Sequence, residues 1–450
     1  MAAFVFDSKL FCDQYGTKAM RKVFSDEQLV QNWLDCWVSL ARAEAELGIV
    51  PKDAAEHIAA CAKNEHMDMD AIREGFTRTS HPLMPQIREF ERLCGHKAGG
   101  WIHWGATTQD IMDTAVVLQL RDAHRIIVEQ TKVLLHLCLQ RAMETRDIVM
   151  PGRTHGQHAV PVTLGYKIAI WAAEFGRHLE RLEKGKKRYL VGELAGAAGT
   201  LASLGKDGLA VQEGFCRNLD LGVPLTTWHV ARDGFAEFAS TIAMLAGTVG
   251  KIANEFINLE RTEICELEEG FTMGKVGSST MPHKRNPMVC ENILANCRLI
   301  QNSACLGFGA MIQEHERDMS FWQTEWSYLP QICLLADNVM TQLEGILQGM
   351  IVRKEQIKKD LYLTKGLIVS ERVMLTLGQY LGRQDAHDVI YEASMKAFEE
   401  NRMLKDVLKA DPRVTDKISD AILDDVLEPM NYTGCCTEMV DKVVAEFKNI

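Results

Sequence analysis

The amino-acid sequence predicts an all-α protein built around a bundle of long helices. Residues 106–150 contain no glycine or proline, and this span is much longer than a typical globular helix. Between Phe235 and Leu259, apolar residues recur in alternating steps of three and four. Helices with this heptad pattern pack against each other at shallow angles in bundles. Alternating patterns of the kind expected for strands are nearly absent.

The long helices divide the chain into three predicted domains. At 450 residues the chain is too long for one ordinary compact core. Shorter helices are expected on either side of the long ones, with a capping-box helix start at Ser25 and a polar, loop-rich stretch near Glu74–Pro85. The predicted domains are an N-terminal helical domain (1–108), a central long-helix domain (109–359) and a C-terminal helical domain (360–450).

The composition narrows the class of protein. Hydrophobic residues make up 47% and charged residues 25%, as in a soluble globular protein. The formal net charge of −11 argues against a nucleic-acid partner. The sequence lacks a signal peptide and an apolar run of about 18 residues, so we expect a cytoplasmic protein without a membrane span. Its 13 cysteines are scattered without a C-x-x-C pair, which favours free thiols over a zinc site.

The segment Gly277–Pro287 carries the densest cluster of reactive side chains. Glycine and two prolines predict a loop of defined shape, which holds Ser278, Ser279, a threonine, two cations and an amide. Such a cluster can bind a carboxylate, and its cations can favour the alkoxide form of a serine. The alternative interpretation is a solvated basic turn.

Two further loops place polar residues beside glycines. His155 and His158 follow a Pro-Gly turn and suit either acid–base chemistry or metal binding. Because no third and fourth ligand lies nearby in the sequence, acid–base chemistry is the favoured interpretation. Thr107 and Thr108 lead into the longest helix, where free backbone amides can receive an anion. Capping alone accounts for Asp110.

In this order and at these separations, the three segments resemble the aspartase/fumarase superfamily, whose signature is similar to Gly277–Pro287. The resemblance covers almost the whole chain. It implies a three-domain subunit whose central helices form a twenty-helix homotetramer core, with each active site shared by three subunits. It also implies proton removal beside a carboxylate of a small dicarboxylate or succinyl-type substrate, an aci-carboxylate intermediate and release of fumarate. No metal ion or organic cofactor is expected.

The resemblance assigns the groups that would handle the developing charge. A carbon-bound proton beside a carboxylate is very weakly acidic, so the dianionic intermediate needs positive charge and hydrogen-bond donors. Ser278 matches the family's base, as an alkoxide, and Lys284 and Asn286 would hold the carboxylate on which charge accumulates. Other substrate contacts are expected from a set of polar side chains: Tyr15, Ser80, Thr107, Thr108, Gln157, Ser279 and Arg317.

The resemblance also assigns the general acid. His155 matches the histidine that protonates a departing amine in adenylosuccinate lyases, and Glu291 matches the carboxylate that orients and charges it. His81 matches a second histidine near the same site. A proton donor of this kind is what general acid catalysis requires.

Two branches of the superfamily compete for the assignment. Most of the amino-acid sequence resembles bacterial 3-carboxy-cis,cis-muconate cycloisomerases. The segments that carry this resemblance include Val23–Glu27, Gln313–Arg317 and Leu363–Arg372. Those enzymes have tryptophan where His155 stands and lack a counterpart of His81, so these two histidines are similar to adenylosuccinate lyase instead.

A nucleotide substrate is disfavoured by three positions. Trp322 and Trp326 stand where adenylosuccinate lyases have a serine and an arginine that bind phosphate, and Gln14 stands where they have an arginine. We therefore expect a carbon–nitrogen or similar carbon–heteroatom lyase acting on a non-nucleotide, succinyl-type substrate. Muconate cycloisomerisation is the first alternative and adenylosuccinate cleavage the second. A non-enzymatic structural member would be expected to have lost Ser278, Lys284 or His155.

Overall fold

α-Helices dominate the computed structural model, which describes residues 4–270 and 277–450. The α-helices of these residues are α1 (Lys18–Val23), α2 (Asp26–Glu46), α3 (Lys52–Cys61), α4 (Met69–Thr79), α5 (Met84–Gly99, kinked at Gly95), α6 (Thr108–Glu144), α7 (Leu164–Tyr189), α8 (Gly208–Asn218), α9 (Asp233–Leu259), α10 (Met288–Ala304), α11 (Leu306–Ala310), α12 (Glu325–Gly349), α13 (Lys354–Leu361), α14 (Ser370–Leu381), α15 (Arg383–Glu399), α16 (Leu404–Lys409), α17 (Pro412–Thr415), α18 (Asp420–Val426) and α19 (Cys436–Phe447).

The strands of the described residues are few and short. They form two antiparallel pairs, β1 (Val149–Thr154) with β2 (Gln157–Thr163), and β3 (Leu267–Glu268) with β4 (Ile351–Val352). Short 3₁₀ helices cover Val5–Asp7, Cys12–Gln14, Asn64–His66, Gly205–Asp207, Phe321–Thr324, Leu367–Val369 and Pro429–Asn431. The all-α prediction is therefore confirmed.

The long helices lie where the sequence predicts them. The 37-residue α6 fills most of the segment without glycine and proline. The heptad positions of α9, from Phe235 to Leu259, are buried, as expected for a helix with one continuous apolar stripe. At the start of α2, the Ser25 hydroxyl accepts a hydrogen bond from the Gln28 N–H at 3.2 Å. The predicted N-terminal cap is thus present.

Two predictions of loop structure were wrong. The stretch near Glu74–Pro85 is helical as far as Thr79, and α4 ends where Ser80 takes up the left-handed conformation with φ of 54°. The segment around His155 is a β-hairpin, β1–β2, although no strand pattern marks it. Pro151 and Pro161 lie opposite each other in this hairpin, and the pairing is irregular between Pro151 and Arg153. Proline and glycine within the strands hide their alternation.

The chain folds into two compact units. The first unit comprises Met1–Thr131, His178–Val249 and Ala295–Thr341, and the second comprises Lys132–Arg177, Gly250–Leu294 and Gln342–Ile450. Five long helices, α6, α7, α9, α10 and α12, each contribute residues to both units. The two boundaries between the three predicted domains, at 108/109 and 359/360, stay a prediction.

Each unit has its own packing. In the first unit α2 packs against α3 and α8, and the Ser39 hydroxyl donates to the Phe215 carbonyl at 2.8 Å. In the second unit α14 and α15 form the centre of an apolar cluster that runs from Leu361 to Leu427. No helix in the described part of the chain is long and apolar enough to cross a membrane.

Candidate functional site

The first unit brings two predicted substrate contacts together at the N-terminus of α6. The Arg317 guanidinium donates to the Thr107 hydroxyl at 2.6 Å and to the Gln109 side-chain oxygen at 3.3 Å. Thr108 is the first residue of α6. A guanidinium beside the free N–H groups of a helix N-terminus is a favourable place for a carboxylate.

Asp110 holds this helix start in place. Its carboxylate accepts the Thr107 N–H at 2.8 Å, so the predicted capping role is confirmed. It also accepts the N–H groups of Ala195 and Gly196, each at 3.0 Å, and lies 2.8 Å from Nε2 of His229. Both Asp110 and His229 are fully buried. Asp110 therefore anchors the start of α6 to two distant segments as well as capping it.

A buried ion network lies one turn further along α6. Arg232 donates to Asp113 at 2.7 and 3.0 Å and to Glu325 at 2.9 Å, with a second, shorter contact to Glu325. All three side chains are almost fully buried. Burial raises the pKa of Glu325 to about 7, although Arg232 acts in the opposite direction.

The sequence analysis missed this network. Asp110 and Asp113 lie three positions apart on one face of α6, and that face continues with the buried apolar residues Val117 and Leu120. Two acidic residues in line with an apolar stripe are the signal that could have indicated a buried polar network.

Asp110, Glu193 and His229 place three potential metal-ligand atoms within 4.8 Å of one another. The Glu193 carboxylate, however, accepts the Trp228 N–H at 2.6 Å and the Thr227 hydroxyl at 3.1 Å. Asp110 likewise accepts three backbone N–H groups. Because protein donors already surround both carboxylates, a cation would have to displace them. The expectation of no metal ion is kept for this cluster.

His81 lies between α4 and α5 with a defined tautomer. Its Nδ1 accepts the N–H groups of Leu83 at 3.3 Å and Met84 at 3.0 Å. A nitrogen that accepts two hydrogen bonds carries no proton, so in the neutral ring the proton is on Nε2. His81 therefore presents Nε2–H as a donor. Ser80, directly before it, is exposed in the left-handed conformation.

Tyr15, the remaining predicted substrate contact of the first unit, packs edge-on against Phe6 at 6.2 Å between ring centroids. Among the residues that the structure describes, no hydrogen bond joins the side chains of Tyr15, Ser80 or His81 to the Thr107–Arg317 pair. Within one chain the first unit thus brings together Thr107 and Arg317 but does not connect them with the other three.

In the second unit, His155 is at the tip of the β1–β2 hairpin. His155 and Gly156 form the two-residue turn between the paired Thr154 and Gln157, with φ of 50° and 75°. Positive φ at both positions is the requirement of a type I′ turn, which favours asparagine or glycine over histidine. Backbone outliers of this kind cluster at functional sites. His155 and Gln157 are both exposed.

An ion pair anchors this hairpin. Arg153 donates two hydrogen bonds to Glu266, at 2.7 and 2.8 Å, and the Glu266 side chain is fully buried. Burial raises the pKa of Glu266, while Arg153 opposes the shift. Because Arg153 precedes His155 by two residues, this contact restrains the histidine's turn.

The Ser278 loop is tightly folded. Ser278 Oγ accepts the N–H groups of Thr280 at 3.4 Å and Met281 at 3.1 Å. Backbone donors of this kind stabilise negative charge on the oxygen. A Cβ on Gly277 would lie 2.5 Å from the Lys284 carbonyl oxygen, so only glycine allows the loop to close this tightly. Ser279 and Lys284 are exposed.

Glu291 lies in the first turn of α10. This helix start is capped by Glu269, whose carboxylate accepts the Cys290 N–H at 2.6 Å. Glu291 is exposed, and in the described part of the chain no hydrogen bond joins it to His155. Asn286, two residues before α10, is half-buried. The second unit therefore presents His155, Glu291 and the Ser278 loop on its surface.

Comparison with known proteins identifies the family. A family model described as lyase matches residues 14–301, and one described as adenylosuccinate lyase C-terminus matches residues 366–443. N-acetyl-S-(2-succino)cysteine lyase of Dickeya dadantii is 42% identical over 99% of this chain and 98% of the relative. Adenylosuccinate lyase of Methanocaldococcus jannaschii is 39% identical over 97% of this chain and 95% of the relative.

A solved structure has the same fold. The 3-carboxy-cis,cis-muconate lactonizing enzyme of Pseudomonas putida matches with a TM-score of 0.91 and 36% identity, covering 98% of this chain and 99% of the other. The helical fold and these matches define an enzyme of the lyase class. The chain belongs to the aspartase/fumarase superfamily, as its three loop segments predict.

Proposed function

We propose that this protein is a carbon–sulfur lyase that splits a succinyl thioether into fumarate and a thiol. The observation that carries the proposal is the 42% identity, over nearly the full length of both chains, to an N-acetyl-S-(2-succino)cysteine lyase. The sequence favours a nitrogen or similar heteroatom as the leaving atom. Sulfur is such a heteroatom. A thiolate is a good leaving group, because the pKa of a thiol is about 8.5.

The reaction follows from the roles assigned to the loop residues. Ser278 takes the proton from the methylene carbon beside one carboxylate, and the electron pair moves onto that carboxylate. Lys284 and Asn286 stabilise the resulting aci-carboxylate. When the electrons return, the double bond of fumarate forms and the carbon–sulfur bond breaks. His155 protonates the departing thiolate, and Glu291 supports the charged form of the histidine.

The other predicted contacts hold the substrate. The Arg317–Thr107 pair and the N-terminus of α6, with Thr108, suit the second carboxylate of the succinyl group, and His81 donates from Nε2. Ser80, Gln157, Ser279 and Tyr15 complete the proposed set. Thr107 and Arg317 are in direct contact, which supports their shared role.

We propose a homotetramer whose active sites combine loops of three subunits. Ser279, Lys284, Glu291 and His155 are exposed in the single chain. Proton abstraction from carbon needs a site that excludes water, so these side chains require cover from another subunit. Five helices of this chain contribute residues to both units, and five helices from each of four subunits would give the twenty-helix core that the family resemblance implies.

The proposed location is the cytoplasm. All 13 cysteines of the chain are free, and eight of them are buried. A chain with many thiols and no disulfide suits a reducing compartment.

Muconate cycloisomerisation is the second candidate, because a solved lactonizing enzyme matches with a TM-score of 0.91. Adenylosuccinate is a weaker candidate despite a relative that is 39% identical. Trp322 and Trp326 pack edge to face at 5.0 Å in the region where the resemblance places phosphate-binding residues. Neither indole supplies the positive charge that a phosphate needs.

The test is release of fumarate by the purified protein from N-acetyl-S-(2-succino)cysteine and, in a separate assay, from adenylosuccinate. Lactonisation of 3-carboxy-cis,cis-muconate releases no fumarate, so that candidate activity is followed by the loss of the muconate. Ser278→Ala should lower the rate about 10²–10⁴-fold, as expected for loss of a general base. The matched control is Ser394→Ala in α15, because the Ser394 hydroxyl has no hydrogen-bond partner among the described residues. Fumarate from adenylosuccinate alone would refute the proposal. So would a fully active Ser278→Ala protein.

A further inference from the structure

Three buried titratable side chains, Asp110, Glu193 and His229, form a cluster at the start of α6. One nitrogen or oxygen atom of each side chain lies within 4.8 Å of those of the other two, and none of the three side chains is exposed. Nε2 of His229 is 2.8 Å from the Asp110 carboxylate and 3.8 Å from the Glu193 carboxylate. With both carboxylates ionised, the cluster is negatively charged even when the imidazole carries a proton.

Hydrogen bonds join this cluster to the predicted carboxylate contacts. The Asp110 carboxylate accepts the Thr107 N–H at 2.8 Å, and the Thr107 hydroxyl accepts from the Arg317 guanidinium at 2.6 Å. A second path runs through Gln109, whose side chain donates to the His229 carbonyl at 3.1 Å and accepts from Arg317 at 3.3 Å. Charge placed at the carboxylate site therefore acts on the buried cluster from a few hydrogen bonds away.

The neighbouring ion network does not supply the missing positive charge. Arg232 is a single cation between two carboxylates, Asp113 and Glu325. Together, the cluster and the network bury four carboxyl groups with one arginine and one histidine. Arg317 adds a positive charge, but the incoming carboxylate uses it. In a buried setting, another negative charge at Thr107 is repelled unless one of the four carboxyl groups takes up a proton.

Glu193 is the carboxyl group whose ionised form has the weakest support. Asp110 accepts four hydrogen bonds, and both carboxylates of the ion network bind a guanidinium. Among the described residues, the donors to the Glu193 carboxylate are neutral: the Trp228 N–H at 2.6 Å and the Thr227 hydroxyl at 3.1 Å. A hydroxyl also accepts hydrogen bonds, so Thr227 could still pair with a protonated Glu193.

The surroundings of Glu193 place its titration near neutral pH. The titratable groups that face it are Asp110 and Asp113 of α6, His229 before α9 and the Cys216 thiol of α8. Burial raises the pKa of Glu193 to about 7, and the two aspartates act in the same direction whereas His229 opposes it. A further negative charge nearby favours the protonated form.

We propose that Glu193 takes up a proton from solvent when a carboxylate of the substrate binds at Thr107 and Arg317. The neutral carboxyl group removes one buried negative charge, while Asp110 stays ionised and holds the start of α6. Glu193 is thus a positioning residue, which acts on the substrate through Asp110 and Thr107. Because such coupling is reciprocal, loss of the Glu193 proton at higher pH weakens binding. The inference rests on the proposed function, which assigns a substrate carboxylate to this place.

Calorimetric titration of the purified protein with fumarate at pH 7.5, in buffers of different ionisation enthalpy, counts the protons taken up on binding. The wild-type protein should take up about half a proton more than Glu193→Gln, as expected when a charge at about 8 Å raises a pKa by about one unit. Glutamine resembles the neutral acid in shape and hydrogen bonding. Glu44→Gln in α2 is the matched control and should keep the uptake, because Glu44 is also fully buried and has its pKa raised to about 8.

The pH dependence of the dissociation constant is a second readout. Between pH 6 and pH 9, Kd for fumarate should rise about tenfold more in the wild-type protein than in Glu193→Gln. A Kd of the wild-type protein that does not change over this range would overturn the inference without recourse to a variant. Equal proton uptake by the wild-type protein and Glu193→Gln would overturn it too, and so would absence of fumarate binding.

Failure of this inference is distinguishable from failure of the proposed function. Proton uptake that depends on Glu193, in a protein that leaves the thioether intact, would support the inference and refute the carbon–sulfur lyase. Cleavage of the thioether by a protein whose proton uptake is the same in Glu193→Gln would leave the lyase standing and refute the role of Glu193.

Discussion

Replacing Arg153 by methionine tests how the β1–β2 hairpin holds His155. The substitution keeps most of the apolar stem but removes both hydrogen bonds to Glu266. Glu266 is fully buried, so its carboxylate would remain in the protein interior without a counter-charge. The hairpin would lose its anchor two residues before the strained turn that carries His155.

The magnitude follows from the protonation of Glu266. In the variant, the folded state avoids the buried charge by keeping Glu266 neutral, whereas an unfolded glutamate titrates near about 4.3. Glu266 of the variant then takes up a proton on folding. This uptake lowers the free energy of unfolding by about 1.4 kcal/mol for each pH unit above the pKa of the unfolded glutamate. We expect a loss of up to about 3–4 kcal/mol in the free energy of unfolding at pH 7 and about 1 kcal/mol at pH 5. The loss therefore grows as pH rises through this window, because the pKa of the folded group is raised.

Urea unfolding of the wild-type and Arg153→Met proteins at pH 5, 6 and 7 measures this loss. Glu266→Gln on the Arg153→Met background should recover part of the stability at pH 7, because no buried charge remains. Arg146→Met is the control, since Arg146 pairs with Asp441 at the surface and should contribute far less. A destabilisation by Arg153→Met that does not change between pH 5 and pH 7 would refute the reasoning. The same variant should also lose kcat, because the His155 turn is less restrained.

Three further predictions concern the site. Asp110→Asn should lower the free energy of unfolding by about 2–3 kcal/mol, because asparagine has one acceptor oxygen whereas the two oxygens of Asp110 now accept four hydrogen bonds. Asp122→Asn on the same helix is the control, and equal unfolding midpoints of the two variants would contradict the prediction. Arg317→Lys should raise KM for the thioether about tenfold with a smaller change in kcat, because lysine cannot reproduce the two-pronged hydrogen bonding of a guanidinium with a carboxylate. An unchanged KM would exclude Arg317 from substrate binding. His155→Asn should slow elimination of an amine from a succinyl-amine about 100-fold more than it slows elimination of a thiol, because a thiolate leaves with less help from an acid. Equal losses of rate for the two substrates would argue against the general-acid role.

The long helices could be predicted because their signal is local. The absence of glycine and proline from 106–150 and the heptad from Phe235 to Leu259 are properties of consecutive residues, and α6 and α9 follow them closely. The cap at Ser25 is likewise a contact between residues three positions apart. The hairpin around His155 could not be predicted from a local pattern. Its prolines interrupt the alternation of side chains, and its pairing depends on contacts across the turn.

The candidate site shows the same division. The sequence singled out its reactive loops, because serine, histidine and cations among glycines and prolines are chemically distinctive, and the superfamily they indicate is confirmed. The roles of the individual residues stay predictions. The tautomer of His81 and the anchoring of the His155 turn by Glu266 emerged only from the three-dimensional structure.

By itself, the sequence determined the helical class, the superfamily and the loops that carry the chemistry, because each depends on residue types at short spacing. The tertiary structure alone decided how those loops are supported. Asp110 meets His229, and Asp113 meets Arg232, each across 119 positions of the chain. Such pairs depend on the path of the backbone between them, and burial then makes their hydrogen bonds and charges matter most. No local pattern encodes that path.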